Sequence, residues 1–468
     1  MERLNEWIVF FNERVFWGIP MLLLLSGTGT YLSFRLRIWR LLHPKLLCRV
    51  LFERRRTAVS RAKGISPIQA MCTALAGTIG TGNIAGVAGA IAIGGPGAVF
   101  WMWVSALLGM GIKFTEIALA VRYREKSENG IVGGPMYTVS NGLGSKFRPL
   151  AAAFCVFAVL ASFGIGNMVQ VHTIASGIRR AMDVFSVPQN GAWLRPEPVI
   201  GFAAALLSAR VLMGGAKRIG RVTETLVPLM SLLYIGLLLI VIAAHARFLR
   251  EAARQILIGA FCPKAVAGGG IGLLTTITKG VGRGVFSNEA GLGSAPIAHA
   301  ASDAKSPAVQ GLYGIVEVLF VTLLICTMTA FAILLPAIPH SAGYVIPYGM
   351  ETGATLTMQA VATVLDTRIC SVLLTTALTL FAFSSIFSWG LYGSRCIEFL
   401  LGERAVLPYR IVFCVLIVFG ASMRIGLVWN VSDLFNALMA IPNLISLLIL
   451  CKTAVRLTDD AFQSGELK

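Results

Sequence analysis

Long apolar runs recur from Val15 to Cys451 with only short polar segments between them, and nothing else in the sequence restricts the fold so strongly. A segment in lipid must satisfy its own backbone hydrogen bonds, so repeated runs of this length imply a bundle of transmembrane helices. Charged residues form 13% of the 468 positions, against about a quarter in soluble domains, which excludes a water-soluble architecture. The chain therefore reads as an all-α polytopic membrane protein of eleven transmembrane helices. The first spans about 15–34. Ten core helices follow at 66–93, 96–121, 150–179, 198–213, 222–244, 268–301, 307–336, 368–401, 408–422 and 425–451.

The net charge of +18 invites a nucleic-acid reading, but that needs a basic face on a soluble module. Here the positive charge lies in short segments between apolar runs, as orientation signals do. With the N-terminus outside, cytoplasmic segments hold 26 Lys/Arg and outer ones 11. The expected topology is N-out and C-in, with no nucleic-acid partner. Residues 35–63 carry ten Lys/Arg and one acid, Glu53. Trp39, Leu42, Leu46, Leu47, Val50 and Leu51 could give this stretch an apolar face on the cytoplasmic leaflet. Glu2, Glu6 and Glu13 interrupt the N-terminal region, and no small-residue cleavage site follows, so the first span is expected to stay in the mature protein. The division is then 1–63 for the first helix and basic segment, 64–452 for a core and 453–468 for a cytoplasmic tail.

Two core helices carry the polar chemistry. Helix 1 contains Ala76-Gly77-Thr78-Ile79-Gly80-Thr81-Gly82-Asn83-Ile84-Ala85-Gly86, whose glycines make a weak helix. An unwound stretch there offers N–H groups to an anion and C=O groups to a cation. The glycines serve close packing through Gly82-xxx-Gly86 and Ala85-xxx-Gly89 equally well. Thr78, Thr81 and Asn83 favour a site. Gly80-x-Gly82-x-x-Ala85 also fits a loose dinucleotide fingerprint, but no strand precedes it, so that reading is discarded. Helix 6 contains Lys279 to Ser294, the most polar stretch in any span. Arg283 and Glu289 could pair there, or Glu289 could meet the hydroxyls of helix 1.

Two glycine-interrupted spans five helices apart are the pattern of an inverted repeat, about 64–245 and 265–452, with a site near the midplane. Helix 3 supplies Asn167 and Gln170 on one face, and helix 8 supplies Ser384, Ser385 and Trp389. Lys113 and Glu116, three apart on helix 2, suggest a local ion pair. Gly133-Gly134-Pro135 reads as a turn into a short helix. The five histidines have no ligand spacing and the nine cysteines form no CxxC pair, so no transition-metal site is expected. No nucleophile–base pair suggests an enzyme.

Gly80-Thr81-Gly82-Asn83-Ile84-Ala85-Gly86-Val87-Ala88, Gly94 to Trp103, Gly133-Gly134-Pro135-Met136-Tyr137 and Arg283 to Pro296 resemble the alanine or glycine:cation symporter family, also called the sodium:alanine symporters. The resemblance covers nearly the whole chain. It implies a leucine-transporter-like fold: one N-terminal helix, then a five-plus-five inverted repeat with helices 1 and 6 discontinuous. It implies uptake of a small neutral amino acid, alanine or glycine, with Na⁺ and in some members H⁺, across the bacterial cytoplasmic membrane. No cofactor is implied beyond Na⁺ as coupling ion. Carried onto this sequence, it puts Thr78, Gly80, Thr81, Gly82, Gln170, Phe286, Asn288, Ser385 and Trp389 around the substrate. Ala76, Ile79, Asn83, Ser287, Ser384 and Ser385 fall to the cation. The Ser384-Ser385 pair stands where the family pattern leads one to expect Thr-Thr. A sensor on the same fold, binding without transport, is the alternative class.

Overall fold

The computed structural model describes residues 2–52, 64–80, 82–127, 130–186, 196–262, 272–350, 353–423 and 425–467. Helices dominate. Among the described residues the strands are β1 (Glu125–Ser127) and β2 (Gly130–Val132), one short antiparallel hairpin. The helices are α1 (Glu2–Phe11), α2 (Ile19–Leu36), α3 (Pro44–Phe52), α4 (Pro67–Thr78), α5 (Gly82–Gly94) and α6 (Ala98–Arg122). They continue with α7 (Pro135–Gly142), α8 (Ser145–Val184), α9 (Pro196–Leu212), α10 (Gly215–Ala244) and α11 (Leu249–Phe261). Then come α12 (Leu273–Asn288), α13 (Ala295–Ala300), α14 (Pro307–Ala337), α15 (Ala354–Ala362), α16 (Thr367–Leu401), α17 (Val406–Gly420), α18 (Ile425–Ile449) and α19 (Cys451–Gln463).

A helix lies over each of the eleven expected stretches. Six of them, α6, α8, α10, α14, α16 and α18, are long and apolar enough to cross a membrane alone. The pair α4 and α5 qualifies as one span bent by 54°. The others, α2, α9, α12 and α17, have 18, 17, 16 and 15 residues. Leu206, Leu229, Leu232 and Phe419 stand exposed on α9, α10 and α17, as side chains do that lipid solvates.

Both breaks follow from the residues at them. α4 begins with a capping box: Ser66 Oγ accepts from the Gln69 amide at 3.1 Å, and Gln69 Oε1 accepts from the Ser66 amide at 3.2 Å. It ends where Ile79 turns to extended backbone (φ −79°, ψ 101°) in the glycine-rich stretch. α12 ends as Glu289 takes a left-handed conformation at φ 53°. Gly291 (φ 90°) and Gly293 (φ 82°) carry the chain on to α13, and only glycine adopts such angles without steric cost. The tight turn before Pro135 likewise rests on Gly134 at φ 131°.

α6 runs through the interior against α12, α14 and α2, and α16 packs on α4, α8 and α10. The basic segment forms α3 as far as Phe52, with Tyr313 Oη donating to the Val50 carbonyl at 3.0 Å; residues 53–63 lie outside the described residues. The C-terminal α19 packs back on α2, with the Arg40 guanidinium 3.9 Å from the Phe462 ring centre.

Candidate substrate and cation site

The two breaks face one cavity of about 1070 Å³. Thr78, Gly80 and Gly82 wall it from the α4–α5 break, Gln170 from α8, Phe286 from α12 and Glu289 from the turn after it, and Ser385 and Trp389 from α16. Seven of the nine expected substrate residues therefore meet in one place. Thr81 lies outside the described residues. Close approach of backbones makes room for this. A side chain at Gly80 would come within 3.3 Å of Ser385 Oγ, and one at Gly166 would overlap the Trp389 ring base.

The expected cation ligands converge in part. Ser384 Oγ and Ser385 Oγ both donate to the Ala76 carbonyl, at 3.0 and 3.3 Å, and Ser384 Oγ also donates to its own helix at Phe381 O. Ile79 is fully buried at the end of α4 beside them. Three oxygens from two helices thus lie together within one turn of the end of α4, donors of the kind a hard cation takes.

Three expected residues turn away from the cavity. Asn288 follows α6 instead: its carbonyl accepts from Lys113 Nζ at 2.9 Å, and its Oδ1 accepts from the Ala290 amide at 2.9 Å. The left-handed turn at Glu289 is the cause, since it swings the chain off the helical path. Ser287 Oγ donates within α12 to Gly284 O and meets Thr322 Oγ1 on α14 at 2.7 Å. Asn83 bridges Thr78 O at 3.1 Å and takes the Cys326 thiol at 3.4 Å, tying α5 to α14. Gln170 holds Ile165 O through Nε2, while its buried Oε1 has no partner and is available to a ligand.

The charged groups pair differently from the sequence expectation. Lys113 and Glu116 make no local ion pair. Lys113, fully buried, lies 3.7 Å from Glu317 on α14, and Glu116 accepts from Asn443 Nδ2 at 3.0 Å and from the Gly291 amide at 3.3 Å. Residues three apart share a helix face, but α6 is buried throughout Gly109–Val121 and its neighbours reach each group first. Glu289 does not pair with Arg283. It accepts from Ser294 Oγ at 2.5 Å and sits beside the Thr78 hydroxyl. His299 lies against Glu317 at 2.5 Å, with Gln310 on its other nitrogen at 2.7 Å.

Sequence reasoning missed part of the wall. Asn12 and Trp17 from the N-terminal segment and Trp429, Asp433 and Asn436 from α18 line the same cavity. Asp433 was visible in the sequence as an acid inside an apolar run, the ordinary sign of an intramembrane polar site. Nothing local marked Trp17.

A bundle with two interrupted helices meeting at a buried polar cavity defines a transporter, and the fold agrees. The chain is similar in structure to MhsT, solved in complex with L-phenylalanine, with a TM-score of 0.52 at 13% identity, over 85% of this chain and 99% of that one. This is a fold of the leucine-transporter type. The sequence matches the sodium:alanine symporter family over residues 1–466, and the chain belongs to that family. It is a multi-pass membrane transporter, not an enzyme. The sodium/alanine symporter AgcS of Methanococcus maripaludis is 40% identical over 94% of this chain and 93% of its own length. A Bacillus subtilis protein named "Probable sodium/glutamine symporter GlnT" is 36% identical over 97% of this chain and 90% of its own.

Proposed function

We propose that the chain is a secondary active symporter that imports a small neutral amino acid, alanine or glycine, together with Na⁺ by alternating access. The observation that carries this is the convergence of both helix breaks, Ser385 and the unpartnered Gln170 Oε1 on one cavity, with Ser384 beside Ser385 on the same Ala76 carbonyl. In this reading eleven spans form one N-terminal helix and a five-plus-five inverted repeat, with the N-terminus outside the cytoplasmic membrane and the C-terminus inside. Backbone amides of the α4–α5 break take the substrate carboxylate, Gln170 Oε1 accepts from its ammonium, and Phe286 and Trp389 bound its side chain. The Ala76 and Ile79 carbonyls with Ser384 and Ser385 hold Na⁺. Each ligand then offsets part of the other's charge in a medium that penalises bare charge, so their binding is mutually dependent and equal in both directions. The sodium/alanine relative supports the pairing of alanine with Na⁺; the glutamine-named relative shows that names within the family differ in side-chain size.

Uptake of radiolabelled alanine and glycine into proteoliposomes under an inward Na⁺ gradient tests the reading. Folded protein that moves neither amino acid overturns it. Binding without uptake favours a sensor. Proton coupling is the second reading, because three buried carboxylates, Glu116, Glu289 and Glu317, surround the single Lys113. Replacing Na⁺ by choline at fixed pH abolishes uptake if Na⁺ drives it; unchanged uptake moves the coupling to protons and to that cluster.

A further inference from the structure

The N-terminal segment lies outside the core that the sequence delimits, yet it walls the same cavity as the substrate residues. Trp17 follows a wide helical turn over Asn12–Phe16 and precedes α2. Its ring stands on Phe286, with centroids 4.8 Å apart and planes at 49°. Its indole N–H donates to the Asp433 carbonyl on α18 at 2.9 Å. Two further bonds stitch this segment to α18: Asn12 Nδ2 donates to Asn430 O at 2.7 Å, and Asn430 Nδ2 donates to Asn5 Oδ1 at 2.9 Å. The indole cannot leave Phe286 without breaking its own hydrogen bond and disturbing its neighbours.

Phe286 is half-buried and faces the cavity. Among the described residues, Trp17 is the one aromatic ring against it. If a ligand side chain longer than a methyl, seated at the α4–α5 break, is to displace Phe286, that ring must move against or away from Trp17, the ring it rests on. The cavity as a whole, about 1070 Å³, is far too large to limit substrate size by volume. A local wall has to do it, and a wall is only as firm as its backing.

We propose that Trp17 is the positioning residue that sets the size limit of the transported amino acid, by bracing Phe286 from behind. This rests on the amino acid symport reading above. One methylene in an apolar pocket is worth roughly 10–200-fold in discrimination, so loosening the brace has a measurable effect.

The test is competition for labelled alanine uptake in proteoliposomes of the full chain, with unlabelled alanine, methionine and leucine as competitors. Trp17→Ala is expected to improve methionine and leucine relative to alanine by about tenfold, the lower end of that range. Trp17→Phe, which keeps a ring behind Phe286, is expected to hold the wild-type ratio within about threefold. If Trp17→Ala does not insert, Trp17→Leu takes its place, with a shift in the same direction. Inhibition by all three competitors changing by one common factor overturns the proposal, since a merely structural role lowers stability or rate without moving the ratio. A wild type that takes up alanine with an unaltered ratio in the variants sinks the Trp17 role alone. A folded wild type that takes up no amino acid sinks the symport reading and this inference with it.

Discussion

Two serine hydroxyls donating to one carbonyl oxygen form a crowded arrangement that a cation would reorganise. Were Na⁺ held there, as proposed, the hydroxyl protons would turn outward, and Ala76 O, Ser384 Oγ and Ser385 Oγ would all present lone pairs. Replacing both serines by alanine is expected to raise the Na⁺ concentration for half-maximal uptake by about tenfold or more, equivalent to ~1.4 kcal/mol. An unchanged Na⁺ response places the cation elsewhere. Asn83 has a different role in this geometry, because both its polar groups are engaged by Thr78 O and Cys326 Sγ. Asn83→Ala is expected to cost ~1 kcal/mol of stability, as interhelical hydrogen bonds in membranes do. It should leave the Na⁺ dependence of substrate affinity intact. A melting curve and a Na⁺ titration on the same variant decide this; a lost Na⁺ dependence returns Asn83 to the cation.

At the level of elements, Lys113 couples three helices. From α6 it holds the last carbonyl of α12 at Asn288 and faces Glu317 on α14, which in turn holds His299 of α13. Removing one partner of a buried pair leaves an uncompensated charge, so Lys113→Met is expected to destabilise the protein by roughly 3–5 kcal/mol. Adding Glu317→Gln should recover a substantial part of that loss. Thermal unfolding of the two variants measures the difference, and a double variant no more stable than the single rules out the pair. Because Lys113 also fixes the end of α12, the single variant should lower substrate affinity as well as stability.

At the level of the whole molecule, sidedness is open to a direct test with native cysteines. Cys48 and Cys262 are both exposed, and most of the other seven are buried. With the N-terminus outside, Cys48 after α2 faces the cytoplasm and Cys262 after α11 faces out. A membrane-impermeant maleimide added to intact cells is expected to label Cys262 and spare Cys48, and permeabilisation should expose Cys48. The reverse pattern inverts the topology.

Some of this was legible in the sequence. Apolar runs in a chain of 13% charged residues admit only helices or a closed barrel in lipid, and Gly77, Gly80, Gly82, Gly291 and Gly293 marked where the helices stop. Those are local properties, set by backbone conformation and by the solvent a segment must meet. Helical spacing likewise put Ser385 and Trp389 on one face, and both line the cavity. Where a side chain points beyond a helix end, and which neighbour reaches it first, is not local. The left-handed turn at Glu289 sent Asn288 to Lys113, away from the cavity expected for it, and left Glu289 on the cavity beside the Thr78 hydroxyl, one of its two expected neighbours. Lys113 found Glu317, 204 positions away, rather than Glu116, three away, because α14 packs on α6 just there. Trp17 joined the wall through a bond to Asp433 across 416 positions, a distance over which no periodicity carries information.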